Sequence, residues 1–152
     1  MFVILSAYRA LGRKQINTKE LMNVKTDTKE KFHAITVMEP SLSATMTDEL
    51  GDCLLPYLQN NASLPENQVR NVVLIAKDIQ SIDIPAAEKL VYIQQKFYEN
   101  NASFVICELQ KQVEEFLDQN ELLEMMNVTP TQSEAWDIVQ MEEIEREFLD
   151  EE

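Results

Sequence analysis

Two short apolar runs constrain the fold of this chain most strongly. They lie at 71–76, within NVVLIAKD, and at 103–107, SFVIC. Continuous apolar runs of this length are typical of β-strands that are buried on both faces. The segment 85–100 lies between them and carries apolar residues at helical spacing, with Pro85 in its first turn, where a missing backbone N–H costs nothing. Strands that alternate with helices in this way predict a mostly parallel or mixed sheet.

The other segments alternate in the same way. Further strands are predicted over 24–28, 32–38 and 125–128, and further helices over 43–59, 110–119 and 133–148. Pro56 is expected to kink or end its helix, because it removes a backbone donor. The last helix is expected to carry Trp136, Val139 and Ile144 on its apolar side. Together these elements predict an α/β domain with a mixed β-sheet of about four to five strands packed against about four α-helices.

Charge limits the partners that such a domain can bind. The 152 residues carry a net charge of -14, with +4 over residues 1–31 and -18 over residues 32–152. An acidic body repels nucleic acid backbones and anionic membrane surfaces, and it attracts a protein partner with a basic patch. The alternative is that the acidity only keeps the protein soluble. Neither nucleic acid binding nor direct membrane insertion is expected.

The residue types needed for most cofactor and catalytic sites are scarce. Gly12 and Gly51 are the only glycines, so the chain has no glycine-rich phosphate loop. The single histidine, His33, is expected to be an exposed strand residue rather than a base or a ligand. Cys53 and Cys107 lie in apolar contexts and are expected to be buried, reduced thiols of a cytoplasmic protein. We therefore expect no metal, no cofactor and no catalytic residues.

The two ends of the chain differ from its body. Residues 1–21 form a basic and apolar extension, whose apolar stretch is too short to span a bilayer and is interrupted by Arg9. Met22 is an alternative start, and the extension is expected either to pack on the domain as a short helix or to be poorly ordered. The domain proper is assigned to 22–148, followed by an acidic tail at 149–152.

The segment QSIDIPAAEKL, residues 80–90, follows a buried strand and opens a helix. Partners and ligands of α/β domains usually meet the edge where strands lead into helices. Asp83 is expected either to cap the helix or bond locally within the turn, or to contact a partner, although it lies slightly early for a standard helix cap. The residues that follow it, at 84–87, carry no hydroxyl, thiol, amine or carboxylate.

Three segments, taken with the order of the elements, resemble one known family. They are NVVLIAKDIQSID, SFVICELQKQVEEFLDQNELLEMMNV and TPTQSEAW. The chain resembles the STAS domain of bacterial anti-sigma-factor antagonists over roughly residues 22–140. The resemblance implies a STAS-type fold and a cytoplasmic protein-interaction module in a partner-switching pathway. Its implied partner is an anti-sigma factor or a similar serine-kinase regulator, and homodimerisation stays open. The alternative is an accessory subunit of a lipid or anion transport system.

In the family this turn commonly has the sequence Asp-Ser-Ser-Gly, and one of the serines is phosphorylated by the partner kinase. The resemblance matches Asp83 to the aspartate, Ile84 and Pro85 to the serines, and Ala86 to the glycine. It implies that the turn has no phosphorylation site, unless a small shift of the alignment brings Ser81 into that role. The expected partner-binding residues are those of the turn and of the segment predicted to lie beside it, namely Glu39, Ser41, Asp83, Ile84, Pro85, Ala86 and Glu88.

Overall fold

The computed structural model describes residues 22–59 and 69–150. The extension at 1–21 and the last two residues of the acidic tail lie outside the described residues. Five strands form the main sheet in the order β1-β2-β4-β6-β7. The first pair is antiparallel and the other pairs are parallel. The strands are β1 Val24–Thr28, β2 His33–Val37, β4 Val72–Ile75, β6 Phe104–Cys107 and β7 Val128–Thr129.

Within the described residues, four α-helices cover the two faces of the sheet. They are α1 Thr47–Leu54, α2 Ile84–Glu99, α3 Lys111–Gln119 and α4 Gln132–Asp150. Alternate residues of the strands point to opposite faces, so the buried row Ile35, Leu74 and Ile106 packs with α1, α2 and α3. The opposite row, Ala34, Val73 and Val105, packs with Ala135 and Val139 of α4. The predicted α/β fold class is confirmed, with the sheet covered on both sides.

Several local predictions need correction. The helix expected over 43–59 is α1 between two 3-10 turns, and Pro56 lies in the second turn, Leu55–Leu58, as its missing donor predicts. The strand expected over 125–128 is instead Val128–Thr129, preceded by the 3-10 turn Leu123–Met125. The sequence also gives no signal for the two-residue strands β3 Ser41–Leu42 and β5 Ser81–Ile82, which pair in parallel as a separate small sheet.

The lone histidine and the cysteines have clear structural roles. His33 is half-buried rather than exposed, because its ring lies against Tyr57 with centroids 4.5 Å apart and its Nε2 is 3.0 Å from the Val69 carbonyl. Both cysteines are free, and Cys107 is fully buried. Burial raises the pKa of Cys107 to about 12 and that of Cys53 to about 11, so both thiols stay protonated at neutral pH.

Within 22–59 and 69–150, no group of three or more histidine, cysteine or acidic side chains is arranged to hold a metal ion. Over the same residues, no helix combines the length and the apolar character that a membrane span requires.

Candidate protein-binding edge at the Asp83 turn

The small β3–β5 sheet brings two distant parts of the chain together beside the start of α2. The Gln80 N–H donates to the Pro40 carbonyl at 2.7 Å, and the Asp83 N–H donates to the Leu42 carbonyl at 3.1 Å. Leu42 and Ile82 are buried and anchor the pair to the core below. We call the surface formed by Glu39, Ser41, Asp83, Ile84, Pro85 and Glu88 the Asp83 edge.

Asp83 fixes the shape of this edge with both oxygens of its carboxylate. Oδ1 accepts a hydrogen bond from the Ala86 N–H at 3.0 Å, and Oδ2 accepts one from the Ala44 N–H at 2.9 Å. Of the two roles expected for Asp83, the structure shows the capping role, although the sequence places it slightly early for a standard cap. The helix begins at Ile84, one residue before Pro85, so Asp83 is its N-cap. The same carboxylate ties α2 to the loop after β3.

The residues after Asp83 divide between surface and core. Ile84 is 39% exposed and Pro85 is also exposed, whereas Ala86 and Ala87 are fully buried. Ala86, one of the residues expected to bind a partner, therefore cannot present its side chain to one. It contributes only its backbone N–H, as the donor to Asp83. The turn thus presents two apolar side chains on a backbone that is held by hydrogen bonds on both sides.

The other expected residues surround this apolar pair or support it. Ser41 is exposed and pairs with the exposed Ser81 across the small sheet. Glu88 is exposed one turn of α2 beyond Ile84. The Glu39 carboxylate is half-buried and accepts a hydrogen bond from the Asn23 N–H at 2.8 Å, which holds the start of β1 against the edge.

One feature of the neighbouring helix surface has no counterpart in the sequence predictions. Tyr92 is exposed on α2, and the Lys89 and Lys96 ammonium groups lie 4.9 and 5.4 Å from the centroid of its ring. The spacing of three and four residues places both lysines beside the tyrosine on one side of the helix. The sequence shows this spacing, but the orientation of α2 in the fold is needed to show that these side chains lie on the surface of the protein.

Solved structures of known proteins share this fold at low sequence identity. A putative anti-sigma factor antagonist from Thermotoga maritima matches with a TM-score of 0.57 and 18% identity, over 77% of this chain and 94% of that one. An anti-sigma-factor antagonist (STAS) domain protein from Planctomyces limnophilus matches with a TM-score of 0.61 and 15% identity, over 77% and 97%.

A transporter also contains the fold. The murine Solute Carrier 26 family member A9 anion transporter matches with a TM-score of 0.57 and 12% identity, over 91% of this chain and 25% of that one. No curated protein sequence matches the chain. The family model of the STAS domain matches residues 23–135, which is most of the chain, and the chain therefore belongs to the STAS domain family.

Proposed function

We propose that this STAS domain is a non-enzymatic protein-interaction module of a partner-switching pathway that binds its partner through the Asp83 edge. The observation that carries the proposal is the exposure of Ile84 and Pro85 on a turn that Asp83 holds at two points. An apolar centre with Ser41 and Glu88 beside it is the arrangement of a small interface with a polar rim. A turn that is already ordered loses little entropy when a partner binds.

The residues of the turn support the proposal that phosphorylation does not interrupt binding of the partner. The family resemblance matches Ile84 and Pro85 to the serines, and neither side chain accepts a phosphoryl group. A phosphate would add a charge of about -1.5 to -2 and would be costly to bury in an interface that is built for a neutral side chain. With Ile84 in that position, the apolar centre of the edge gains no charge in any state of the pathway. We infer a constitutive antagonist or scaffold in the cytoplasm.

The chemistry of the surface indicates the kind of partner. Residues 32–152 carry a net charge of -18, so the partner should offer basic residues around an apolar pocket for Ile84. An anti-sigma factor or a similar serine-kinase regulator is the partner that the family resemblance implies. The protonated state of both thiols supports a role without nucleophilic catalysis.

Incubation with the co-purified kinase-type regulator and ATP tests this proposal. The protein should form a complex that persists in the presence of ATP, as measured by gel filtration, and its intact mass should not change. A mass gain that maps to Ser81, with release of the partner, would show that the edge is switched by phosphorylation after all. Absence of any complex would overturn the assignment of the partner.

The second candidate is an accessory subunit of a lipid or anion transport system. The observation in its favour is that the match to the anion transporter covers 91% of this chain, compared with 77% to 85% for the structures of the two antagonist-type proteins. The co-purified partner discriminates between the two candidates. A transporter ATPase or membrane subunit would support this second function, and a kinase-type regulator would support the first.

A further inference from the structure

The second half of α4 presents a row of exposed apolar side chains. Met141, Ile144 and Phe148 are 59%, 52% and 66% exposed. Ala135 and Val139 lie on the opposite side of the helix, where they pack on the sheet. We call Met141, Ile144 and Phe148 the α4 stripe. Their spacing of three and then four residues is that of the a and d positions of a heptad, which form the contact between the helices of a coiled coil.

The side chains that hold this half of α4 to the domain occupy other positions of the same heptad. Glu142, Glu143 and Arg146 lie at positions b, c and f. The Ser103 hydroxyl donates to the Glu142 carboxylate at 2.6 Å, and Arg146 Nη2 donates to the Ser103 hydroxyl at 3.1 Å. The Asn71 amide donates to the Glu143 carboxylate at 2.7 Å. One side of α4 is therefore fixed to the sheet, and the a and d side is left free to contact a second helix.

The exposed charges around the α4 stripe are all negative. Glu145 and Glu147 lie at the e and g positions and are exposed, as are Glu134 and Asp137 nearer the start of the helix. Arg146 is the only basic residue of α4, and its hydrogen bonds direct it toward the domain. Charges at e and g set the choice of partner in a coiled coil. The α4 stripe therefore favours a helix with lysine or arginine at the facing positions.

The same charges disfavour two other occupants. A second copy of the chain docking through α4 would bring two sets of glutamates together, and an anionic membrane surface would be repelled in the same way. Three apolar side chains are also far fewer than the roughly 20–30 residues that each partner of a stable interface contributes. The α4 stripe is therefore suited to a small contact with a basic partner rather than to a permanent dimer.

We propose that the α4 stripe docks a short amphipathic helix of a protein partner, with apolar side chains at a and d and lysine or arginine at e and g. An amphipathic helix that lays its apolar face on a matching surface is a recurrent mode of peptide recognition. Residues 141–148 span about 12 Å, so the contact covers about two turns of the partner helix. The stripe lies across the sheet from the Asp83 edge, and the proposal does not depend on the proposed function.

Binding of a synthetic helix to the full chain tests the proposal. The probe is a three-heptad peptide with leucine at a and d and lysine at e and g, and the same peptide with glutamate at e and g is its control. Fluorescence anisotropy of the labelled peptides measures their affinities. The lysine peptide should bind at least about tenfold more tightly than the glutamate peptide, because the e and g charges select the partner.

Removing the apolar contact should abolish this binding. The double variant Ile144→Glu with Phe148→Glu should weaken binding of the lysine peptide at least about tenfold, because apolar a and d side chains form the contact between the helices. The variant also adds negative charge, so a loss of affinity would report on the apolar contact. Both positions are exposed and glutamate is a good helix former, so the circular dichroism spectrum should stay that of the unmodified protein.

Reversing the charges separates the α4 stripe from the net charge of the protein. Glu145→Lys with Glu147→Lys should reverse the preference, so that the glutamate peptide binds more tightly. Glu114→Lys with Glu115→Lys makes the same change in net charge at exposed positions of α3 and should leave the preference for the lysine peptide intact.

Three results would overturn the proposal. The first is that the unmodified protein binds neither peptide, or binds both equally. The second is that the α3 charge reversal changes the preference as much as the α4 one, which would show that only net charge attracts the peptide. The third is a dimer in sedimentation that the Ile144→Glu and Phe148→Glu variant dissociates, which would show that a second copy occupies the stripe.

Discussion

At the residue scale, the two oxygens of the Asp83 carboxylate serve different parts of the fold. One caps α2 through the Ala86 N–H, and the other holds the loop after β3 through the Ala44 N–H. Asp83 is therefore a positioning residue for the edge that presents Ile84. Its own carboxylate already accepts two hydrogen bonds within the protein, so in the proposed function its neighbours make the contact with the partner.

Replacing Asp83 with alanine should destabilise the domain. The change removes a helix cap, which is worth about 1 kcal/mol, and leaves the Ala44 N–H without its acceptor, so we expect the free energy of unfolding to fall by about 1–3 kcal/mol. Urea denaturation measures this. Glu88→Ala is the control, because an exposed charge on the same helix should change the value by less than about 0.5 kcal/mol. Equal stability of the two variants would contradict the role given to Asp83.

His33 should make the stability of the domain depend on pH. Burial lowers its pKa below the ordinary value, and the hydrogen bond to the Val69 carbonyl offsets this only in part. In the unfolded chain the imidazole takes up a proton near pH 6.5, whereas in the folded protein it does so only at lower pH. Between those two values the unfolded state binds more protons, so the contribution of His33 to stability falls as the pH drops from about 7 toward 5.

Thermal denaturation at a series of pH values measures this contribution. The decline between pH 7 and 5 should be smaller in a His33→Gln variant, because glutamine does not titrate. An identical pH dependence in both proteins would show that His33 contributes nothing to it.

At the element scale, the amino-terminal ends of β4 and β6 are joined to α4 through Asn71. Its Oδ1 accepts a hydrogen bond from the Ser103 N–H at 2.7 Å, and its amide donates to the Lys31 carbonyl at 2.9 Å and to Glu143. Asn71 is buried, so a single side chain satisfies polar groups from three different elements away from water.

Asn71→Leu should therefore be strongly destabilising. A buried N–H or C=O that loses its partner costs about 1–3 kcal/mol, and the change leaves the buried Ser103 N–H without its acceptor, so we expect a loss of at least about 2 kcal/mol. Chemical denaturation followed by circular dichroism gives the value. Asn23→Ala, at an exposed position of the same residue type, should be close to neutral. A loss below about 0.5 kcal/mol for Asn71→Leu would contradict this account of the network.

The sequence predicts those elements whose buried residues form a recognisable apolar pattern. The strands β4 and β6 follow from their continuous apolar runs, and α2 follows from its helical spacing and from Pro85. The strands β3 and β5 are not predictable in this way. A strand of two residues is too short to show an alternating pattern, and it depends on pairing with a segment that lies 40 residues away in the chain. The strand expected at 125–128 begins too early, because Met125 belongs to the 3-10 turn Leu123–Met125 and the paired strand is Val128–Thr129.

Helix α4 is a second case in which the apolar pattern of the sequence does not predict which residues are buried. Val139 faces the sheet as predicted, but Ile144 lies five residues further along, which rotates it by about 140° away from that face. Its exposure is therefore a consequence of helix geometry. The sequence predicts where the Asp83 edge lies, because a strand leads into a helix there. It does not settle whether Asp83 caps that helix or whether Ala86 is buried, because both depend on α2 beginning at Ile84.

At the scale of the whole molecule, the sheet separates two surfaces. The Asp83 edge lies at the start of α2, which packs with α1 and α3 on one face. The exposed side chains of Met141, Ile144 and Phe148 lie beyond the other face, on the helix that Ala135 and Val139 join to the sheet. The two surfaces are therefore separate, so a variant of Met141 serves as a control for variants of the Asp83 edge.

Titration calorimetry of the partner against an Ile84→Asp variant tests the central claim most directly. The substitution places a charge where the partner must exclude water, and an unpaired buried charge costs about 2–5 kcal/mol, so affinity should fall by at least about 30-fold. Since Ile84 is exposed, the melting temperature measured by circular dichroism should barely change. Met141→Asp, on the opposite side of the sheet, should keep full affinity. Unchanged affinity of the Ile84→Asp variant would contradict partner binding at the Asp83 edge, and a collapse of its stability would show that Ile84 belongs to the core.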